Sequence, residues 1–168
     1  MANHGWVKTR KPMKPEQITA MVEELNQSLF KGNLQVEYHN CVGDKSAWGP
    51  HTWLLKYMSG GQEWASRVFW LNTSRHFEMR HGGGGHFAWW IDSAIQNEVA
   101  IRFNGTLHDD GHGDTWKGEP GKYNKLTDYL KLVLSRHTKP DLKKQLLKWE
   151  YEMIPPEFHP PKKRNKNA

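Results

Sequence analysis

Cysteine is nearly absent from this chain, with Cys41 alone among 168 residues. One cysteine excludes an internal disulfide and suits a reducing compartment, so the sequence predicts an intracellular protein. Long apolar stretches are also missing. The longest runs, such as residues 87–91, span about five residues, whereas a membrane-crossing helix needs roughly 20. No charged-then-apolar segment resembling a signal peptide opens the sequence. We therefore expect a cytoplasmic location and no membrane partner.

The excess positive charge lies in two short segments near the ends. The chain has 24 Lys and Arg against 18 Asp and Glu, a formal charge of +6. Residues 1–14 and 161–168 each carry four cations and no acid, which leaves −2 for the rest. These cations are Lys8, Arg10, Lys11 and Lys14 in the first segment, and Lys162, Lys163, Arg164 and Lys166 in the second.

Basic segments attract polyanions through counterion release, without reading sequence. We interpret both segments as arms that bind nucleic acid, and the alternative interpretation is a pair of solvated tails. Residues 163–166 also match the short basic pattern of a nuclear import signal, so a nuclear location is possible in a eukaryotic cell.

The spacing of apolar residues predicts an α+β protein with helices at both ends and strands between them. Helical periodicity indicates an N-terminal helix over about residues 15–30 and two C-terminal helices over about 123–136 and 138–153. We expect these two helices to pack on the sheet and to complete one domain over residues 15–160. The segments 1–14 and 161–168 are predicted to extend from this domain as basic arms.

Segments rich in β-branched and aromatic residues between residues 34 and 107 predict a central antiparallel sheet. The predicted strands include residues 52–58, 67–71, 75–80, 87–91 and 98–103. In the last of these, Val99, Ile101 and Phe103 alternate with Ala100, Arg102 and Asn104, which indicates one buried face. Residues 108–124 have few large apolar side chains and several glycines, so we predict a loop.

Possible metal ligands are concentrated in residues 108–114. His112 and Asp114 form the His-x-Asp pair of facial-triad iron sites, which also need a distant second histidine. One hypothesis is therefore a metal-dependent hydrolase of phosphodiesters, nuclease-like, with one divalent transition metal held by His108, His112 and Asp114. The other interpretation is a polar turn whose backbone is set by Asp-Gly, with no cofactor.

Aromatic residues are abundant, with nine Trp, five Tyr and six Phe. They are interleaved with arginines in residues 67–70 and 75–80, and stacking combined with positive charge is how single-stranded nucleic acid is held. A packed core is the other use of aromatic side chains. Trp89 and Trp90 are adjacent, so on the predicted strand they would face opposite sides and one would belong to a contact surface.

These observations favour a non-enzymatic binding or accessory protein, with no catalytic residue assigned. Its basic arms and aromatic surface would engage nucleic acid or a nucleoprotein assembly, a plan found in small phage and viral proteins. Two alternatives remain from other classes: the metal-dependent hydrolase, and an assembly subunit that contacts only protein.

Overall fold

A seven-stranded antiparallel sheet lies at the centre of the molecule, with the strand order β2-β3-β4-β5-β1-β6-β7. The structure, a computed structural model, describes residues 3–81, 85–109, 115–135 and 139–159. Its elements are β1 (Asn3–Thr9), α1 (Pro15–Ser28), β2 (Leu34–Asn40), β3 (His51–Ser59), β4 (Gln62–Thr73), β5 (His76–His81), α2 (Gly85–Arg102), β6 (Gly105–Asp109), β7 (Thr115–Lys117), α3 (Leu126–Leu134), α4 (Pro140–Glu152) and a short 3-10 turn (Pro156–Phe158). The predicted α+β class is confirmed.

The N-terminal helix and the strands that follow it were predicted correctly. Helix α1 begins at Pro15, where a proline is favoured because its nitrogen needs no hydrogen-bond partner in the first turn. Strands β3 and β4 contain the predicted segments 52–58 and 67–71, and β5 begins one residue after the start of the predicted segment 75–80. The two-residue turn between β3 and β4 consists of Gly60 and Gly61, both at positive φ. This conformation matches the twist of the hairpin and favours glycine at both positions.

Helices α1 and α2 lie against the same face of the sheet. The indole Nε1 of Trp53, on β3, donates a hydrogen bond to Thr19 Oγ1 of α1 at 2.9 Å. Arg67, a core-facing residue of β4, forms an ion pair with Asp92 of α2, with Nη2 and Oδ2 2.9 Å apart. Both side chains of this pair are almost completely buried. The core therefore lies between these two helices and one sheet face.

The two strands predicted over residues 87–91 and 98–103 are wrong, because residues 85–102 form the single helix α2. Phe87, Ile91, Ile95 and Val99 recur every four residues and are all buried, as on one helical face. The helix also buries residues on other faces, since it contacts α1 and α3 as well as the sheet. Burial on several sides weakens the helical period in the sequence.

The prediction that residues 1–14 form an extended basic arm is also wrong, because residues 3–9 form β1 in the interior of the sheet. Strand β1 pairs with β5 on one side and with β6 on the other. Val7 is completely buried, and Met13 farther along is also in the core. The folded unit therefore includes the segment assigned to an arm, and its boundary is not at residue 15. The second arm, residues 161–168, lies outside the described residues.

The region after α2 differs from the predicted loop over residues 108–124. Strand β6 ends at Asp109, and Thr115–Lys117 form β7, which pairs with it. Helices α3 and α4 follow, as predicted, and α3 packs against both α2 and α4. In the described part of the chain, no helix is long and apolar enough to cross a membrane.

The segment after α4 is held on the sheet by a polar cluster around Glu157. Tyr57 Oη and Ser59 Oγ donate hydrogen bonds to its two carboxylate oxygens at 2.6 and 2.9 Å. Asn33 Nδ2 donates a third, at 3.1 Å. Burial alone would raise the pKa of Glu157, but these hydrogen bonds stabilise the charged form and lower the pKa below its usual value.

We expect Glu157→Gln to lower the free energy of unfolding at pH 7 by about 1–3 kcal/mol, the range for hydrogen bonds to a charged group. Because the folded-state pKa is lowered, the stabilisation is present above the usual carboxyl pKa near 4.5 and is lost as pH falls through the lowered value. The difference between the two proteins should therefore shrink below pH 4.5 in urea titrations. Glu152→Gln, at an exposed position in α4, is the matched control and should change stability little.

Candidate nucleic-acid interface

The face of the sheet opposite α1 and α2, called here the open face, has one row of side chains that crosses every strand. The register places these residues side by side in the order His39, Thr52, Trp70, Glu78, Trp6, His108 and Thr115. Their sequence neighbours Trp53, Phe69 and Val7 point into the core, and successive side chains on a strand alternate between faces. Two aromatic pairs lie along this row.

The first aromatic pair consists of Trp48 and Trp70. The loop between β2 and β3 folds over the open face, so that the two indoles stack with centroids 5.1 Å apart at 26°. Gly49 permits this approach, since a Cβ there would lie 2.5 Å from Trp70 Cδ1. Trp70 is buried, whereas Trp48 remains 45% exposed. The guanidinium of Arg80 lies over the Trp48 ring, 5.1 Å from its centroid.

The second pair consists of Trp6 and His108, on the paired strands β1 and β6. Their rings are nearly parallel, at 3°, with centroids 5.5 Å apart. Burial lowers the pKa of His108, and the nearby positive charges of Lys8 and His76 lower it further. His108 is therefore neutral at neutral pH and stacks as an uncharged aromatic ring.

Positive side chains border both aromatic pairs. The register and alternation place Lys56, Arg80 and Lys8 on the open face, and all three are exposed. The carboxylate of Glu78 lies between the aromatic pairs and accepts a hydrogen bond from Asn72 Nδ2. The imidazole of His76 lies 3.5 Å from the same carboxylate. Glu78 thus already has polar neighbours on the sheet.

A basic pocket of about 440 Å³ opens where β1 ends, β6 begins and α2 terminates. Among the described residues, its cations are Lys8, Arg10 and Lys117, and no carboxylate lines it. Lys8 and Thr106 belong to the pocket and also lie on paired strands of the open face. The basic pocket is therefore continuous with the aromatic row.

Of the four cations predicted in residues 1–14, two come together in this pocket and two do not. Lys8 and Arg10 line it, whereas Lys14 precedes the first residue of α1 and Lys11 is exposed outside the pocket. The predicted cations Lys162, Lys163, Arg164 and Lys166 lie outside the described residues.

The proposed metal ligands are only partly described. His108 stacks on Trp6, while His112 and Asp114 lie outside the described residues. Within the ranges that the structure describes, no group of three His, Cys, Asp or Glu side chains could hold a metal ion. The metal site over residues 108–114 thus stays a prediction.

The sequence analysis missed Trp6, Trp48 and Lys117 as site residues. A signal for the first was present, because Trp6 and Lys8 alternate with Gly5, Val7 and Thr9 as on a strand with one buried face. No comparable signal marks Trp48, whose position depends on how its loop folds over Trp70.

Comparisons with protein-family models, with curated proteins and with solved structures found no match for this chain.

Proposed function

We propose that this protein is a non-enzymatic nucleic-acid-binding protein that holds a single strand across the open face of its sheet. The observation that supports this function best is the occurrence of two aromatic pairs and several cations on one face. Aromatic side chains stack on bases whatever the sequence, and cations beside them neutralise phosphates. The proposal keeps the nucleic-acid partner expected from the sequence but assigns the contact to the sheet.

A single strand fits this surface better than a duplex does. In a duplex the bases already stack on one another, so their faces are not available to Trp48 or Trp6. An exposed indole with a guanidinium over it, as at Trp48 and Arg80, also resembles the way an arginine plane and an aromatic ring contact unpaired bases. Binding should therefore combine stacking with a dependence on salt.

We expect Trp48→Ala to weaken binding of a single-stranded oligonucleotide by about 5- to 140-fold, since stacking contributes roughly 1–3 kcal/mol per base. Fluorescence anisotropy with a labelled oligothymidylate at fixed salt measures the change. Trp89→Ala is the matched control, because Trp89 is 43% exposed but lies on α2, away from the open face. Equal losses in the two variants would contradict the proposed surface.

The salt dependence gives a second measurement on the same complex. Each phosphate contact adds about −0.7 to the slope of log affinity against log salt for a single strand. Lys56→Gln should make the slope less steep by about that amount if Lys56 contacts a phosphate. Tighter binding of duplex than of single strand would overturn the proposal. Absence of binding to either at low salt would also overturn it, and would favour a subunit that contacts only protein.

A further inference from the structure

We infer that the basic pocket is a binding site for a phosphate monoester, the group that ends a nucleic-acid strand or forms part of a free nucleotide. Binding of a strand end in this pocket rests on the proposed function, because the pocket is continuous with the open face through Lys8. Binding of a free nucleotide does not. The open face itself supplies stacking for bases. The basic pocket has a different chemistry, and it is this difference that points to a phosphate.

The size and lining of the pocket fit this group. A volume of about 440 Å³ lies within the range of small-molecule sites. None of the described residues that line the pocket is aromatic, so they offer a base nothing to stack on. Three cations and the polar side chains of Thr106 and Asn104 line it instead. These are donors suited to phosphate oxygens.

The electrostatics of the pocket favour a group with more than one negative charge. A phosphate monoester carries between one and two charges at neutral pH, whereas a phosphodiester within a strand carries one. In the described part of the chain, no ion pair engages Lys8, Arg10 or Lys117. Their charges remain available to a ligand, and a divalent anion gains more from three adjacent cations than a monovalent one does.

Backbone hydrogen bonds around the pocket position Arg10 and occupy the nearest carbonyl oxygens. The carbonyl oxygens of Phe103 and Asn104, just after α2, accept hydrogen bonds from the N–H groups of Lys11 and Arg10 at 3.1 Å each. These carbonyls would otherwise present partial negative charge near the site. Gly105 lets β6 approach β1 closely, since a Cβ there would lie 2.7 Å from Val7 Cγ1. The floor of the pocket is thus fixed by the fold.

The test compares ligands that differ only in a terminal phosphate. Uridine 5′-monophosphate and uridine are titrated by calorimetry at constant ionic strength, and oligonucleotides with and without a terminal phosphate, at the 5′ or the 3′ end, are compared by anisotropy. We expect the phosphate to raise affinity by about tenfold or more in at least one of these comparisons. Arg10→Gln with Lys117→Gln should abolish that gain.

A charge-matched control separates the pocket from a general loss of positive charge. Lys131→Gln with Lys144→Gln removes the same charge from exposed positions on α3 and α4 and should leave the gain intact. A gain confined to the mononucleotide assigns the pocket to free nucleotides, and a gain that extends to the oligonucleotide assigns it to a strand end. No gain with any phosphorylated ligand overturns the inference.

The two proposals fail in different ways. Phosphate discrimination with no oligonucleotide binding would leave the pocket assigned and overturn the open-face function. Oligonucleotide binding that is weakened by Trp48→Ala, with no gain from the phosphate of either the oligonucleotide or the mononucleotide, would support the open-face function and overturn the pocket.

Discussion

Asp92→Asn is expected to destabilise the protein by about 3–5 kcal/mol, the usual effect of removing one partner of a buried ion pair. Asp92 is completely inaccessible, and its carboxylate faces the guanidinium of Arg67, which is also buried. Without the carboxylate, the buried guanidinium of Arg67 loses the negative charge that it faces across 2.9 Å. For a chain of this length the melting temperature should fall by roughly 6–20 °C, as measured by circular dichroism or calorimetry.

A double variant distinguishes the cost of an unpaired charge from the loss of an attractive contact. Replacing both partners, with Arg67→Met and Asp92→Leu, removes both charges and fills similar volumes. Apolar replacements of buried ion pairs are often neutral or stabilising, so most of the lost stability should return. If Asp92→Asn had the same melting temperature as the unsubstituted protein, the ion pair would not be buried as described.

Trp90→Ala should have an effect of similar size, about 3–5 kcal/mol, because it removes a large buried side chain and leaves a cavity. Trp90 is 1% exposed and packs between Phe30, Phe87 and Phe158. Its indole Nε1 also donates a hydrogen bond to the carbonyl of Tyr123 at 2.8 Å. The variant therefore loosens α2 from three other parts of the chain at once.

The neighbouring residue supplies the control for this variant. Trp89 is 43% exposed and meets His86 edge to face, so Trp89→Ala should change stability by less than about 0.5–1 kcal/mol. Urea titrations of both variants measure the contrast. Equal destabilisation would mean that α2 is not oriented as described.

The sequence predicted different environments for Trp89 and Trp90 for the wrong reason. It expected one buried and one exposed ring because neighbours on a strand face opposite sides, whereas they lie on a helix covered by the sheet, α1 and α3. The β-branched and aromatic residues of α2 favour a strand locally, and packing from several sides overrides that preference. The predictions of α1 and of strands β3 to β5 succeeded because one face of each is buried and periodicity is preserved.

The candidate site could not be assembled from the sequence for a related reason. Trp6 pairs with both Glu78 and His108, residues that local patterns do not connect. The charge of residues 1–14 was correctly noted but was interpreted as an arm, since counting charge does not show that Val7 and Met13 are core residues. Only the pairing of distant strands places Lys8 beside Trp6 and opens the basic pocket beyond it.

The position of β1 has a consequence for how the chain reaches this structure. Strand β1 is synthesised well before its two partners, because β5 and β6 begin only at residues 76 and 105. Strands β2 to β5 are joined in sequence as a meander and can pair as they leave the ribosome. We therefore expect folding to be slow for the chain's size, as is usual when contacts join distant residues. The open face, and with it any affinity for a nucleic-acid strand, would form only when β1 pairs with β5 and β6 at the end of folding.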